Sequence, residues 1–174
     1  MITQYGNPMF PQDAWAIFSD DDKYRYQLGR YIPKSSSNQT CVWCMLNPST
    51  ANAFVLDPTL RKCMEFSKRW GFGYMTIVNL FAYRATNPKE LYKIKDPVGK
   101  SNFHFIRKSF ETADMIVVGW GSEKIVKVSN VFYDGLKPYF NGRIVNCLGT
   151  NKDGSPKHPL YLPYTTHLKR FEFV

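Results

Sequence analysis

The sequence predicts a single α/β domain: a three-layer sandwich with a mostly parallel central sheet and an N-terminal β-hairpin addition over residues 1–34. Three observations predict it. Four apolar segments, at 40–46, 75–80, 115–119 and 143–148, alternate with helical stretches, which is the pattern of parallel strands covered on both faces. The segments before residue 34 are instead aromatic and β-branched and are joined by a polar turn. The chain has 174 residues, the size of one domain, for which a typical length is roughly 100–150.

Each element follows from local chemistry. Ala14–Ser19 and Tyr24–Ile32 read as strands, with Asp20-Asp21-Asp22 turning between them. Lys34-Ser35-Ser36-Ser37-Asn38 is a loop, after which strand 40–46 leads into the loop Asn47–Leu56. Asp57-Pro58 has the form of an N-cap followed by Pro at the first helical position, so a helix runs from there to about Trp70 and ends at Gly71 and Gly73. Met75–Leu80 is the next strand, a short helix follows Asn87-Pro88, and a longer one covers Gly99 to Thr112. Met115–Gly119 is a strand, Glu123–Leu136 a helix and Arg143–Leu148 the last strand.

Composition narrows the function classes. With 44% hydrophobic and 21% charged residues the chain is globular rather than disordered. No apolar run approaches the roughly 18 residues of a membrane helix, and Met1-Ile2-Thr3-Gln4-Tyr5 lacks the layout of a signal peptide. A complete, cytoplasmic, monomeric chain without a membrane partner is therefore expected. The net charge of +9, from 23 basic and 14 acidic residues, favours a polyanionic partner, or else a basic solvated surface. Cys41 and Cys44 form a CxxC, but they lie on a strand that would send the two sulfurs to opposite faces. With no second CxxC and no His at zinc-finger spacing, Cys41, Cys44, Cys63 and Cys147 read as small buried hydrophobes, and no metal or cofactor is expected.

Three polar clusters follow apolar strands directly: Asn47–Phe54, Asn79–Pro88 and Gly149–Leu160. Ligands of open α/β sheets bind outside the carboxyl ends of strands, so these loops should converge. Gly119-Trp120-Gly121 is a fourth candidate, where Trp120 either lines the pocket or caps the core. The loops hold no phosphate-binding glycine loop, no nucleophile elbow and no metal-ligating carboxylate pair. What they hold is an amide, Asn47, a histidine, His158, and cations at Arg84, Lys152 and Lys157. An amide oxygen can orient a water, and a histidine can donate to an anionic leaving group.

Met45-Leu46-Asn47-Pro48-Ser49-Thr50 and His158-Pro159-Leu160-Tyr161-Leu162-Pro163 resemble the motifs of an uncharacterised bacterial and phage domain family. The resemblance continues through Asp57-Pro58-Thr59, Asn79–Thr86 and Asp96-Pro97 and covers residues 40–163. That family in turn resembles the uracil-DNA glycosylase superfamily. The resemblance implies that Asn47, followed by Pro48 and Ser49, aims the attacking water, and that His158 serves the leaving base. It implies a base contact for Asn79, with Arg84 following toward the DNA, a stacking role for Phe54, and Leu160 in the loop that enters the groove; from their place in the loops, Tyr83 and Trp120 are further candidates for base contact and Lys152 and Lys157 for DNA contact. Two departures stand out: Leu160 replaces the usual Ser, and Asn151–Lys157 is an insertion that leans toward a bulky base. The implied activity is monofunctional hydrolysis of the N-glycosidic bond of a flipped uracil-like or modified pyrimidine, such as a hydroxymethylated or glucosylated phage base, in repair or anti-phage defence. The alternatives are a non-catalytic nucleic-acid-binding module of the same fold and an N-glycosidase of free nucleosides or nucleotides.

Overall fold

The computed structural model describes residues 1–6, 13–122, 124–128, 135–140 and 142–173. One sheet of eight strands runs through it, in the order β1-β2-β3-β5-β4-β6-β7-β8. The strands are β1 (Ile2–Tyr5), β2 (Ala14–Phe18), β3 (Arg25–Tyr31), β4 (Thr40–Met45), β5 (Tyr74–Asn79), β6 (Met115–Val118), β7 (Val145–Cys147) and β8 (Lys169–Arg170). The helices are α1 (Pro58–Arg69), α2 (Asn102–Glu111), α3 (Lys124–Val128) and α4 (Lys137–Phe140), with 3-10 turns at Pro88–Lys93 and Pro159–Tyr161.

The sheet is mixed rather than mostly parallel. β4 pairs in parallel with β5 and β6, and β6 with β7, while β1–β2, β2–β3, β3–β5 and β7–β8 are antiparallel. The N-terminal strands pair antiparallel, as expected of a hairpin, and they are continuous with that sheet. Leu28 stands opposite Ile77, and Leu28 and Ile32 bury in the same cluster as Met75 and Ile77, so β3 extends the central sheet. Of the helix expected over 123–136, residues 124–128 form α3, and Glu123 and residues 129–134 lie outside the described residues.

Burial alternates along β4 as a strand between two helical layers requires. Cys41, Trp43 and Met45 bury with Leu60, Cys63 and Phe66 of α1, whereas Val42 and Cys44 bury with Ile106 and Phe110 of α2. The CxxC sulfurs therefore face opposite layers, and all four cysteines are free and buried. Burial pushes the Cys41 thiol up to about 12 against a smaller opposing hydrogen bond from Ser67, so it is no reactive thiolate near neutral pH. The α1 start is built as its sequence predicts: the Asp57 carboxylate accepts from the Leu60 amide at 2.8 Å, and Pro58 occupies the first turn. No described helix is long and apolar enough to cross a membrane.

Candidate functional site

Because β4 lies between β5 and β6, its carboxyl end is a topological switch point, where the following loops diverge and leave a crevice. A cavity of about 580 Å³ opens there. Asn47 and Ser49 reach it from the loop after β4, Asn79 from the end of β5, Trp120 and Gly121 from the loop after β6, and His158 and Leu160 from the loop after β7. The four candidate loops thus contribute to one cavity.

Backbone pairing holds the first two loops together. The strand ladder continues past β4 and β5 through Leu80 N–H to the Met45 carbonyl and Phe81 N–H to the Leu46 carbonyl, both at 2.9 Å. The Asn47 amide donates from Nδ2 to the carbonyls of Ala85 (2.8 Å) and Pro48 (3.0 Å). With its nitrogen committed, Asn47 can present only its oxygen to a ligand, and no described residue donates to that oxygen.

The late loop is set by its own turn. In Asn151–Lys157 the Asp153 carboxylate accepts from the Ser155 amide and hydroxyl and from the Ser122 hydroxyl, and Gly154 has a φ of +82°. Lys157 N–H then returns to the Gly149 carbonyl at 2.9 Å, and Gly121 N–H donates to the Pro156 carbonyl at 3.0 Å. The insertion shapes the approach to His158, and none of its side chains lines the cavity; Lys152 and Lys157 are exposed outside it.

His158 caps the 3-10 turn Pro159–Tyr161, its Nδ1 accepting from the Leu160 amide at 3.3 Å. An accepting Nδ1 puts the proton of the neutral ring on Nε2. Burial lowers the His158 pKa, opposed by the nearby Asp57 carboxylate, so near neutral pH the ring is an uncharged Nε2–H donor.

Other candidates divide. Trp120 fills both roles open to it: it lines the cavity, and it packs edge-on against Phe171 at 5.7 Å in the core. Phe54 lies outside the cavity and is 68% exposed. The cause is a turn in which Asn52 Oδ1 accepts from the amides of Phe54 and Val55, leaving Ala51 and Ala53 to face inward. Tyr83 and Arg84 line a shallower neighbouring depression that shares Ser49 and Thr50 with the main cavity. There Arg84 pairs with the Asp22 carboxylate at 2.6 Å and lies over the Phe18 ring. Pro48 lies behind the cavity wall, its carbonyl accepting from Ala85 N–H. His104 and His167 are exposed.

Three cavity residues have no site role in the sequence reading, although Asp57 and Tyr161 fall within the motifs that carry the resemblance. Asp57 gives one carboxylate oxygen to the α1 cap and also lines the cavity, within electrostatic range of His158 and Arg25. Tyr161, 82% exposed, stands at the mouth with its ring 5.8 Å from that of His158. Arg25, on β3, is 3% exposed, lines the cavity and makes no ion pair with a described carboxylate. Burial lowers its pKa to about 10, so it stays charged. Among the described residues no group of three His, Cys, Asp or Glu could hold a metal ion.

The fold and its loops define an α/β protein with a cavity at a sheet switch point. The chain belongs to the DUF1643 family, described as proteins of unknown function, whose model matches residues 25–160. That span takes in β3 with Arg25 as well as the loops from Asn47 to Leu160. Neither a curated protein nor a solved structure matches the chain.

Proposed function

We propose that the protein is a monofunctional DNA glycosylase of the uracil-DNA glycosylase type, hydrolysing the N-glycosidic bond of a flipped pyrimidine. The observation that carries this reading is the pairing of an oriented acceptor, Asn47 Oδ1, with a neutral donor, His158 Nε2–H, in one cavity supplied by different strands. Hydrolysis needs both polarities. Positive charge develops on the sugar as the C1′–N bond breaks, and the electron pair leaves with the base.

In this reading Asn47 aims the water whose oxygen bonds to C1′. Asn47 cannot take the water's proton; the Asp57 carboxylate, in the same cavity, accepts it. His158 stabilises the departing base anion, a role for which an uncharged donor suffices when the leaving group is already fairly good. Tyr161, rather than Phe54, is the exposed aromatic placed to fill the gap in the stack or to pack on the base. Flipping the base costs a few kcal/mol, and the basic surface offsets part of that through phosphate contacts.

The test is abasic-site formation on duplex oligonucleotides carrying uracil, hydroxymethyluracil, hydroxymethylcytosine or glucosylated hydroxymethylcytosine. Cleavage of one base is expected, with Asn47→Ala and His158→Ala each slower by about 10²–10³. Salt-sensitive binding without product on any base would instead establish a binding module. Release of base from free nucleosides without polymer would establish a nucleoside N-glycosidase.

A further inference from the structure

Arg25 is a buried cation whose described partners are neutral. Its Nη1 donates to the Ala51 carbonyl at 2.9 Å and its Nη2 to Asn79 Oδ1 at 3.3 Å, while Nε has no partner. A guanidinium only donates, so this contact settles which way the Asn79 amide points: its oxygen faces Arg25 and its NH2 faces away. Asn79 is 2% exposed and lines the cavity, and its Nδ2 bonds to no described residue yet is not sealed off from the cavity. The segment beneath is rigid, because the buried Asn102 of α2 donates to the carbonyls of Asn79 and Leu80 at 2.9 and 3.1 Å. Guanidinium and amide together make that wall of the cavity donor-only.

We infer that Arg25 locks Asn79 as a donor-only reader, and that the base edge accepted there is of the cytosine type rather than the uracil type. This rests on the proposed placement of a base in the cavity. Cytosine presents N3 and O2 as adjacent acceptors, whereas uracil puts a hydrogen on N3, which would face the Asn79 NH2 donor to donor. An amide free to rotate would offer its oxygen to that hydrogen. Here rotation would turn the NH2 onto the Arg25 guanidinium, a donor against a buried cation. Arg25 is the specificity-determining residue, and it acts through Asn79.

The test is binding, which needs no turnover. Short single-stranded oligonucleotides carrying one hydroxymethylcytosine or one hydroxymethyluracil avoid any difference in pairing cost, and their affinities are compared by fluorescence anisotropy. The wild-type chain is expected to favour hydroxymethylcytosine by about 10- to 100-fold. Asn79→Asp keeps an acceptor for Arg25 and turns a second acceptor toward the base, so the preference should reverse. Arg25→Met frees the amide, and the preference should collapse to within about threefold with the melting temperature unchanged or raised, since an apolar side chain replaces a buried charge. Equal affinities in the wild type, a uracil preference, or discrimination that survives both substitutions would overturn the inference. Cytosine-selective binding without abasic product would sink the glycosylase reading and leave this one standing. Abasic product from uracil-type bases alone would do the reverse.

Discussion

At the scale of single residues, His158 joins the cap of a 3-10 turn to the cavity through its two ring nitrogens. Nδ1 is held by the Leu160 amide, and Nε2 makes no hydrogen bond to a described residue. Protonating the ring puts a hydrogen on Nδ1 and breaks the cap, so His158 titrates with a structural consequence. Its folded pKa lies below the ordinary 6.5 because of burial. The unfolded chain therefore binds more protons between the two values. Stability from this residue is fully present above pH 6.5 and declines as pH falls through the lowered folded pKa. His158→Asn keeps a side-chain oxygen able to accept from the Leu160 amide but does not titrate. Thermal melts from pH 8 to pH 4.5 should show an acid-side decline that is steeper in the wild type than in His158→Asn. Parallel curves would mean that the ring does not titrate across that range in the fold.

At the scale of elements, the site depends on how closely the end of β6 approaches the late loop. A Cβ on Gly119 would sit 3.1 Å from Pro159 Cδ and 3.3 Å from Met45 Sδ. The groups that approach Gly119 this closely are the chain's own. Gly119→Ala should displace Pro159 by a few tenths of an ångström and carry His158 with it. A stability loss of about 1–3 kcal/mol is expected, and on the proposed glycosylase reading a larger fractional loss of turnover than of DNA binding, read by denaturant melts beside single-turnover kinetics. The elements legible in the sequence are those whose signals are local. Asp57-Pro58 announces α1, and the apolar runs announce β4 and β5, because a cap and a buried strand each write themselves into adjacent residues. β1, exposed along most of its length, and the two-residue β8 have no such pattern. The antiparallel union of β3 with β5 joins residues 43 to 49 positions apart, from Tyr31 with Tyr74 to Leu28 with Ile77, which no local pattern encodes. The same distance hid Arg25. It reads as one residue of an aromatic strand, and only the β3–β5 pairing brings it beside Asn79. Asp57 is masked differently: its cap role accounts for the residue type, so the Asp57-Pro58-Thr59 motif reads as a helix start and not as part of the cavity.

At the scale of the whole molecule, the +9 net charge is not all available to a polyanion. Arg25 and Arg30 are buried, bonding to carbonyls and, for Arg25, an amide oxygen, and Arg84 is neutralised by Asp22. Much of the charge left over is on exposed lysines, with Arg61 and Arg143 also exposed. Lys89 and Lys93 are exposed on the 3-10 turn after β5, Lys95 and Lys100 between that turn and α2, and Lys152 and Lys157 on the turn that leads to His158. If the last pair flanks bound DNA, each lysine that releases a counterion contributes about 0.9 to the slope of log affinity against log salt on duplex. Lys152→Gln with Lys157→Gln should therefore flatten the slope by about 2 and weaken binding alike on every sequence. Arg84→Gln should leave the slope nearly unchanged and lower the melting temperature instead, because its charge is engaged with Asp22 and its guanidinium covers Phe18. Fluorescence anisotropy across a salt series separates the two classes. An unchanged slope in the lysine pair, with a flattened one in Arg84→Gln, would move the DNA track from the late turn to the depression beside Tyr83. The Asp22–Arg84 pair would then have to open on binding.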